Sequence, residues 1–328
     1  MMKNSILVGA ILSAFAAASW GAMFPVANHA FQYISPFYFT IIRYLPVALI
    51  LVVILYFVEG KKAFKLNGNG FKIWVYGTMG FTIYNLFIFW GQDLLGDPGV
   101  LLASIMEALA PVISVLILWF LHNNRPYLFT ILSILGAFVG VLFVVTNGDF
   151  SLLFGSGRLI PLIILLLAAG GWAAYTIGGP EFDGWSVLRY STLSCLYGTL
   201  TALVVVVAVS IIGWVEVPTL HEVYMVRYNM LFMIFVPGLL ALIFWNQGVK
   251  ILTPINTILF INFAPVTTVI IQVIQGYKIS FYEYLGVFIV CLMIVLNNLY
   301  QRMMIKRTQP PKHKQKVQKK VNNPETAY

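Results

Sequence analysis

Charged side chains are scarce in this sequence. Asp, Glu, Lys and Arg make up only 9% of its 328 residues, whereas a typical soluble domain carries about 25% because its surface must face water. Hydrophobic residues account for 60%, and apolar runs of roughly 20 residues, long enough to cross a bilayer as a helix, recur along the chain. The low charge excludes an ordinary soluble protein and predicts an integral membrane protein.

Cysteine and histidine are also few, and catalytic motifs are missing. Cys195 and Cys291 lie inside apolar stretches, which indicates packed thiols rather than a disulfide framework. The four histidines are too scattered along the chain to predict a metal site. The sequence contains no HExxH, no GxSxG and no glycine-rich phosphate loop. We therefore expect neither an enzyme nor a cofactor-binding protein.

Apolar runs separated by polar breaks predict ten transmembrane helices. The breaks carry the Gly, Pro, Asn and charged residues typical of loops, as in GGPEFDG at 178–184. The predicted spans are 5–28, 36–58, 73–92, 98–121, 127–147, 159–178, 185–212, 228–249, 254–275 and 281–301.

The distribution of Lys and Arg predicts the orientation. With the N-terminus in the cytoplasm, the basic loops and the tail after Gln301 fall inside, and Arg158, Arg227 and Lys278 fall outside. We therefore expect a multi-pass plasma-membrane protein with both termini in the cytoplasm. The basic tail, 302–328, is expected to be disordered and to fix topology or touch anionic lipid, not nucleic acid.

Short motifs of the first half recur in the same order in the second half. AAASWGA matches AAGGWAA, IIRY matches VLRY, IFWGQ matches IFWNQ, APV recurs, and LGAF matches LGVF. Because each half holds an odd number of predicted helices, the second half enters the membrane upside down. We expect an all-α fold of two inverted five-helix repeats, 1–150 and 157–301, with a site between them. The matched positions are Trp20 with Trp172, Arg43 with Arg189, Trp90 with Trp245, Gln92 with Gln247, Pro111 with Pro265 and Leu135 with Leu285.

These features resemble the EamA family of the drug/metabolite transporter superfamily over residues 5–301. The resemblance rests on the ten-helix count, the early Trp and second-helix Arg of each half, and the Pro-Val of each fourth helix. It implies export of amino acids or similar metabolites, often driven by the proton gradient. Many members carry a Gly-Glu pair after each fourth helix; here those places read HNNRP and GYK, so that role does not transfer.

Glu107 is the sharpest candidate for a functional residue. It lies in the middle of the fourth predicted helix, where an ionised side chain costs about 2.5–3.5 kcal/mol. It is interpreted either as a proton-coupling or amine-binding carboxylate, or as a structural partner of Arg43. Arg43 and Arg189 suit an architectural role or a substrate carboxylate. The second half offers Asn262 near the position that matches Glu107.

Four tryptophans occupy repeat-related places: Trp20, Trp90, Trp172 and Trp245. Such rings either wall a cavity that stacks on a flat or cationic substrate, or pack in the core and at the interface.

Polar amides and prolines complete the candidate set. Amides in apolar helices bridge helices or face a cavity, and the two glutamines could instead cap helix ends. Paired prolines are candidate hinges or fixed bends. The amides are Gln92, Asn246, Gln247 and Asn262, and the prolines are Pro111 and Pro265.

The sequence thus predicts a secondary-active transporter that exports amino acids or related metabolites by alternating access, with protons as the candidate coupling ion. The alternative is a carrier or flippase for an amphiphilic or lipid-linked substrate, which a cavity open sideways to lipid would favour. A non-transporting subunit would have no cavity. The expected partners are a small-molecule substrate, protons and membrane lipids, and the expected state is a monomer or a homodimer.

Overall fold

The computed structural model describes residues 2–122, 125, 127–149 and 159–308, and every regular element in these ranges is helical. Short helices at Lys61–Phe64, Gly179–Glu181, Leu220–Met225 and Pro254–Thr257 connect the long ones. The long helices are α1 Met2–Ala30, α2 Pro36–Glu59, α3 Gly70–Leu95, α4a Asp97–Ala108, α4b Ala110–His122, α5 Leu128–Thr146, α6 Leu159–Gly178, α7 Val187–Ile211, α8 Arg227–Leu252, α9 Ile258–Ile274 and α10 Phe281–Thr308.

Seven of the described helices are long and apolar enough to cross a membrane, namely α1, α2, α3, α5, α6, α7 and α8. The bent pair α4a and α4b makes an eighth span if it counts as one. Helix α9 and the apolar part of α10, Phe281–Asn297, are shorter. The protein is therefore a multi-pass membrane protein, and ten crossings remain a prediction.

Helix α10 continues to Thr308, past the predicted boundary at residue 301. Residues 309–328, which hold most of the predicted disordered tail, lie outside the described residues.

Helix starts follow local capping chemistry. The Ser35 side chain accepts a hydrogen bond from the Tyr38 backbone N–H at the start of α2, where Pro36 occupies the first turn. Ser186 does the same for the Arg189 N–H at the start of α7, at 2.9 Å. Because the caps fix the residues at which α2 and α7 begin, they also fix how far along each helix Arg43 and Arg189 lie.

The helices pair in a pattern that is the same for both halves. Helix α1 packs on α8 and α9, and α6 packs on α3 and α4. Helix α2 packs on α7, and α5 packs on α10. Where α5 packs on α10, Gly140 and Gly286 face each other so closely that a Cβ on either would collide with the backbone carbonyl of the other. Small residues therefore set the closest approach of α5 and α10.

Two helices widen into π turns at corresponding places. Helix α3 does so at Thr78–Ile83 and α8 at Ile234–Leu240, where Pro237 lies inside the turn. A π turn holds an extra residue, so it frees carbonyl groups and rotates the following helix by about 100°. The side chains after each turn therefore face different neighbours than an unbroken helix would give them.

Helices α4 and α9 are interrupted just before their prolines. The chain bends by 44° at Leu109, between α4a and α4b. Helix α9 begins as the 3-10 segment Ile258–Asn262 and becomes α-helical at Phe263. Since a proline lacks the N–H that would continue the helix, Pro111 and Pro265 account for the missing regular bonds. Both interruptions and both π turns surround the centre of the molecule.

Candidate functional site

Glu107 lies at the centre, on the last turn of α4a, with none of its surface exposed. Its Oε1 accepts a 2.8 Å hydrogen bond from the Tyr84 hydroxyl. Its Oε2 has no hydrogen-bond partner among the described residues. Tyr84 is the first residue after the π turn of α3, so that turn determines the direction of its side chain. A buried carboxylate with a free oxygen is costly unless it takes up a proton or binds a ligand.

Arg43 is the second charged group in this region and is 1% exposed. Its guanidinium carbon lies 4.5 Å from the centre of the Tyr44 ring, and one Nη donates to the Met23 sulfur at 3.6 Å. Its Nε has no partner in the part of the chain that the structure describes. No nitrogen of Arg43 lies within 4.0 Å of a Glu107 oxygen. The two charges interact electrostatically without a direct ion pair, and each keeps a free atom.

Three of the four predicted tryptophans come together beside this pair. The Trp20 ring centre lies 4.8 Å from that of Trp172 and 5.0 Å from that of Trp245, and all three rings are buried. Trp20 donates its indole N–H to the Pro237 carbonyl at 3.0 Å, inside the π turn of α8. The Trp172 indole N–H has no partner among the described residues. We call Trp20, Trp172 and Trp245 the tryptophan cluster.

Trp90 lies elsewhere, although the repeat pairs it with Trp245. It is half-buried, and its ring centre lies 5.8 Å from that of Phe37 and 5.2 Å from that of Trp214. There it lines a polar pocket of about 360 Å³ formed by the α1–α2 and α7–α8 loops. The structure therefore separates Trp90 from the tryptophan cluster.

The predicted amides tie helices together. Asn246 donates to the Tyr175 and Ser191 hydroxyls, both at 2.8 Å, which joins α8 to α6 and α7. Gln92 donates to the Phe24 carbonyl at 2.8 Å and so bridges α3 to α1 rather than capping its own helix. These bonds hold the walls of the central region.

The remaining candidate polar residues are Asn262, Gln247 and Arg189. Asn262 donates to the Leu259 carbonyl at 3.0 Å within its own 3-10 segment, and Gln247 is half-buried. Arg189 lies at the start of α7, with its guanidinium carbon 4.1 Å from the Trp185 ring centre, and donates to the Lys65 carbonyl.

The contacts of Arg189 belong to a set that joins the beginning of α3 and the loop before it to the α6–α7 loop and the beginning of α7. Lys72 pairs with Glu181 at 3.4 Å, and the Tyr76 hydroxyl donates to the same carboxylate at 2.6 Å. We call Lys65, Lys72, Tyr76, Glu181 and Arg189 the loop clamp. It connects the α2–α3 region to the α6–α7 loop, and so it joins the first half of the chain to the second.

An apolar cavity of about 630 Å³ lies beside the centre, between α3, α4b, α5 and α6. Its lining includes Ile83 on α3, Ile113 on α4b, Phe138 on α5, and Leu167 and Gly170 on α6. All of its lining residues are apolar or glycine. We call it the lateral groove.

Sequence reasoning missed several residues of the centre. Ser191, Ser194 and Cys195 recur at the three- and four-residue spacing of one helix face, and that polar stripe on an apolar helix could have indicated the network with Tyr175. Tyr84 had no such signal, because the π turn that orients it has no distinctive residue pattern. In α8, Pro237 marks the corresponding turn.

Comparison with known proteins gives the family. The sequence model of the EamA-like transporter family matches residues 7–146 and 159–299. The chain is 46% identical over 303 residues to the uncharacterized transporter YrdR of Bacillus subtilis (strain 168), covering 92% of this chain and 94% of that protein. It is 27% identical over 285 residues to the uncharacterized transporter YyaM of the same organism, covering 83% and 87%.

A solved crystal structure has a similar fold. It superposes with a TM-score of 0.61 at 18% sequence identity, covering 94% of this chain and 99% of the other. The chain therefore belongs to the EamA-like transporter family, and it is a multi-pass membrane transporter.

Proposed function

We propose that the protein is a secondary-active exporter of amino acids or related small metabolites. In this proposal two inverted five-helix repeats alternate in opening the central site to the two sides of the membrane. Three observations support the repeats: the five motifs in register, the family match to each half, and the helix pairing that is the same for both halves. The direction of transport, export, rests on the family resemblance alone.

The observation that carries the proposal is the unpaired state of two buried charges. Glu107 keeps a free Oε2 and Arg43 a free Nε, although both are buried and near each other. An α-amino acid carries an ammonium and a carboxylate a few atoms apart, so it can bind Glu107 with one and Arg43 with the other. Ligand binding would then satisfy groups that are costly to leave unpaired in a membrane.

Competition at Glu107 supplies the coupling in this proposal. A proton or a substrate ammonium can neutralise the carboxylate, but both cannot do so together. A proton that enters from outside would displace the ammonium there, and the protonated carrier would return to the inside. Each cycle then moves a proton inward and a substrate outward.

Alternation requires the loop clamp to open. Its contacts join the two halves on the side that the basic loops place in the cytoplasm, so they must break before cytoplasmic substrate reaches Glu107. Pro111 and Pro265 mark the bends about which α4 and α9 would move, as hinges do at helix interruptions. The tryptophan cluster would cover the substrate between its two openings.

The test is transport into inside-out vesicles. A mixed pool of amino acids and related metabolites is offered with and without an imposed pH gradient, and accumulation is read by mass spectrometry. Wild type is compared with Glu107→Gln, and with Glu216→Gln, an acid in the α7–α8 loop, as the matched control. We expect one compound class to accumulate with the gradient in wild type and in the control, and not in Glu107→Gln.

Accumulation that is equal in Glu107→Gln would contradict the coupling role and leave Glu107 as a structural residue. Failure of every compound to accumulate in correctly folded wild type would contradict export of these metabolites.

The lateral groove favours a second candidate, a carrier for an amphiphilic or lipid-linked substrate. Such a substrate could hold its apolar part in the groove while its polar part reaches the centre. The test is translocation of a fluorescent phospholipid in proteoliposomes, followed by quenching of the outer-leaflet label with dithionite. Quenching beyond the outer-leaflet fraction would support this candidate, and its absence would rule it out for that lipid.

A further inference from the structure

The lateral groove lies at mid-height in the membrane. Its walls come from residues 79–87 of α3, 134–138 of α5 and 166–174 of α6, which are the middle parts of those helices. The fourth wall is the first turns of α4b, just after the bend at Leu109. The groove therefore lies in the hydrocarbon layer of the bilayer and not at the headgroup level.

Neither water nor a polar metabolite suits this space. A buried water needs two to four polar partners, and this lining supplies no polar side chain. The lining offers apolar side chains and the glycines Gly170 and Gly171. An amino acid placed there would lose its hydrogen bonds to water without replacement. A hydrocarbon has no such hydrogen bonds to lose, and it would gain dispersion contacts with the apolar lining of this space of about 630 Å³.

The groove is continuous with the surface that faces lipid. Phe138 and Leu167 belong to its lining and are 36% and 53% exposed. On the same face of α5, Ile131 and Leu135 are also exposed. A lipid chain on this belt can therefore enter the groove sideways, without crossing a polar barrier.

We propose that the groove binds one acyl chain of a bilayer phospholipid. This inference goes beyond the proposed function, because it concerns a resident lipid and not the transported substrate. The chain would contact Leu109 at the bend of α4, two residues from Glu107, and Met79 and Ile83 in the π turn before Tyr84. The acyl chain would pack against the bend of α4 and the π turn of α3, the two irregular segments that hold the Glu107–Tyr84 pair.

Gly170 provides a way to fill the groove. A Cβ built at Gly170 meets a single atom within 4 Å, the Ile113 Cγ2 at 3.9 Å, so a larger side chain there projects into open space. At the neighbouring Gly171 a Cβ would lie 2.6 Å from the Met79 carbonyl oxygen, so that position allows no addition. Ile163 is 49% exposed on the same helix outside the groove lining, so Ile163→Phe adds bulk without filling the groove.

The experiment uses photo-labelling in nanodiscs. The probe is a phosphatidylglycerol with a diazirine in the middle of one acyl chain, and adducts are mapped by peptide mass spectrometry. We expect adducts on 109–117 and 166–174 at higher yield than on the exposed face of α5. Gly170→Phe and the smaller Gly170→Leu should reduce the yield on 109–117 by about tenfold, equivalent to 1.4 kcal/mol of binding. Ile163→Phe should leave it unchanged, with all variants checked for folding by gel filtration.

Three results would overturn the proposal. Labelling of 109–117 no stronger than that of the exposed α5 face would mean ordinary surface lipid. Undiminished labelling in folded Gly170→Leu would place the chain outside the groove. Labelling of 109–117 that appears in nanodiscs holding one copy of the protein and is lost in nanodiscs holding two would assign the groove to a dimer contact. Transport activity enters none of these readouts, so the proposed function and this proposal can fail separately.

Discussion

Several side chains at the centre of the protein satisfy only part of their bonding capacity. Glu107 uses one oxygen and Arg43 leaves its Nε free, while the Trp172 indole N–H has no acceptor among the described residues. In a soluble site water would occupy these positions. In the proposed function, the substrate binds at these free atoms.

The Tyr84 hydroxyl should be required for strong binding at Glu107. Tyr84→Phe removes a hydrogen bond to a charged group, worth about 1.5–3 kcal/mol. We expect the apparent substrate affinity to fall roughly tenfold or more in the vesicle assay, with folding intact. Tyr56→Phe, on the lipid-facing side of α2, is the matched control. Equal affinity in Tyr84→Phe would show that this bond does not prepare Glu107 for substrate.

Two tryptophans of the cluster should respond differently to the same change. Trp20→Phe removes a buried donor from the Pro237 carbonyl and should lower the free energy of unfolding by about 1–3 kcal/mol. Trp172→Phe removes an N–H that has no acceptor among the described residues, so stability should fall less than in Trp20→Phe, by the lost packing alone, while substrate affinity falls. Thermal denaturation and substrate titration separate the two effects. A loss of stability in Trp172→Phe comparable to that in Trp20→Phe would contradict a ligand-facing role.

The sequence predicts some of these central residues and not others. The repeat pairs Trp20 with Trp172 and Trp90 with Trp245, and three of the four rings meet. Trp90 does not, because matching positions in two repeats share a helix face but not the same neighbours. Tyr84 could not be predicted, since its direction depends on a π turn that no residue pattern indicates.

At the scale of helices, the irregular segments are those nearest the centre. The π turns and the interruptions occur in α3, α4, α8 and α9, whereas α5 and α10 are uninterrupted. Free backbone carbonyls at such places need partners in a membrane. Pro25 supplies an example in α1: it cannot bond to the Gly21 carbonyl, which accepts instead from the Thr268 hydroxyl of α9 at 2.8 Å.

Replacing Pro111 should straighten α4. Pro111→Ala restores an N–H that can continue the helix across Leu109, so the 44° bend should decrease and transport should slow. Spin labels at Asp97 and Phe120 should move apart by about 2–3 Å, given the 1.5 Å rise per residue. Pro36→Ala, at the first turn of α2, is a control that frees no interior bond. An unchanged distance would mean that packing, not the proline, fixes the bend.

The positions of the helices were largely predictable from the sequence. The irregular backbone segments within them were not. Apolar runs gave segments close to the observed helices, because a bilayer demands long uninterrupted hydrophobicity. The 3-10 start of α9 and the extension of α10 to Thr308 were missed, since hydropathy reports burial in lipid and not backbone geometry.

At the scale of the whole molecule, the halves meet through paired helices and through the loop clamp. The clamp's ion pair is partly exposed, at 55% for Lys72 and 43% for Glu181, so its contribution to stability is small. Its position matters more than its strength, because it joins segments that must separate if the centre is to open on that side. The repeats in the sequence predicted two halves, but of the clamp residues only Arg189 belongs to a repeated motif, so the repeats do not predict the clamp.

Weakening the clamp should shift the balance between the two openings. Glu181→Gln removes an exposed ion pair worth about 0.2–1 kcal/mol, so the clamp side should open about 1.5 to 5 times more often. Buried Cys195, on α7, is a reporter of that opening in a Cys291→Ser background. We expect its maleimide labelling to accelerate by that factor, while Glu216→Gln leaves the rate unchanged. An unaltered rate in Glu181→Gln would mean that other contacts hold this side closed.

The packing of α1 on α8 and α9 has a consequence for biosynthesis. The Trp20 indole N–H can bond to the Pro237 carbonyl only after more than two hundred further residues have been synthesised. The same holds for the Gly21 carbonyl, which accepts from the Thr268 hydroxyl. At about 5–20 residues per second, the first helix waits in the membrane for roughly 10–45 seconds before its partners emerge. During that interval Arg43 and Glu107 are already inserted without their final surroundings. We therefore expect the first half of the nascent chain to need shielding from lipid until α9 has left the ribosome.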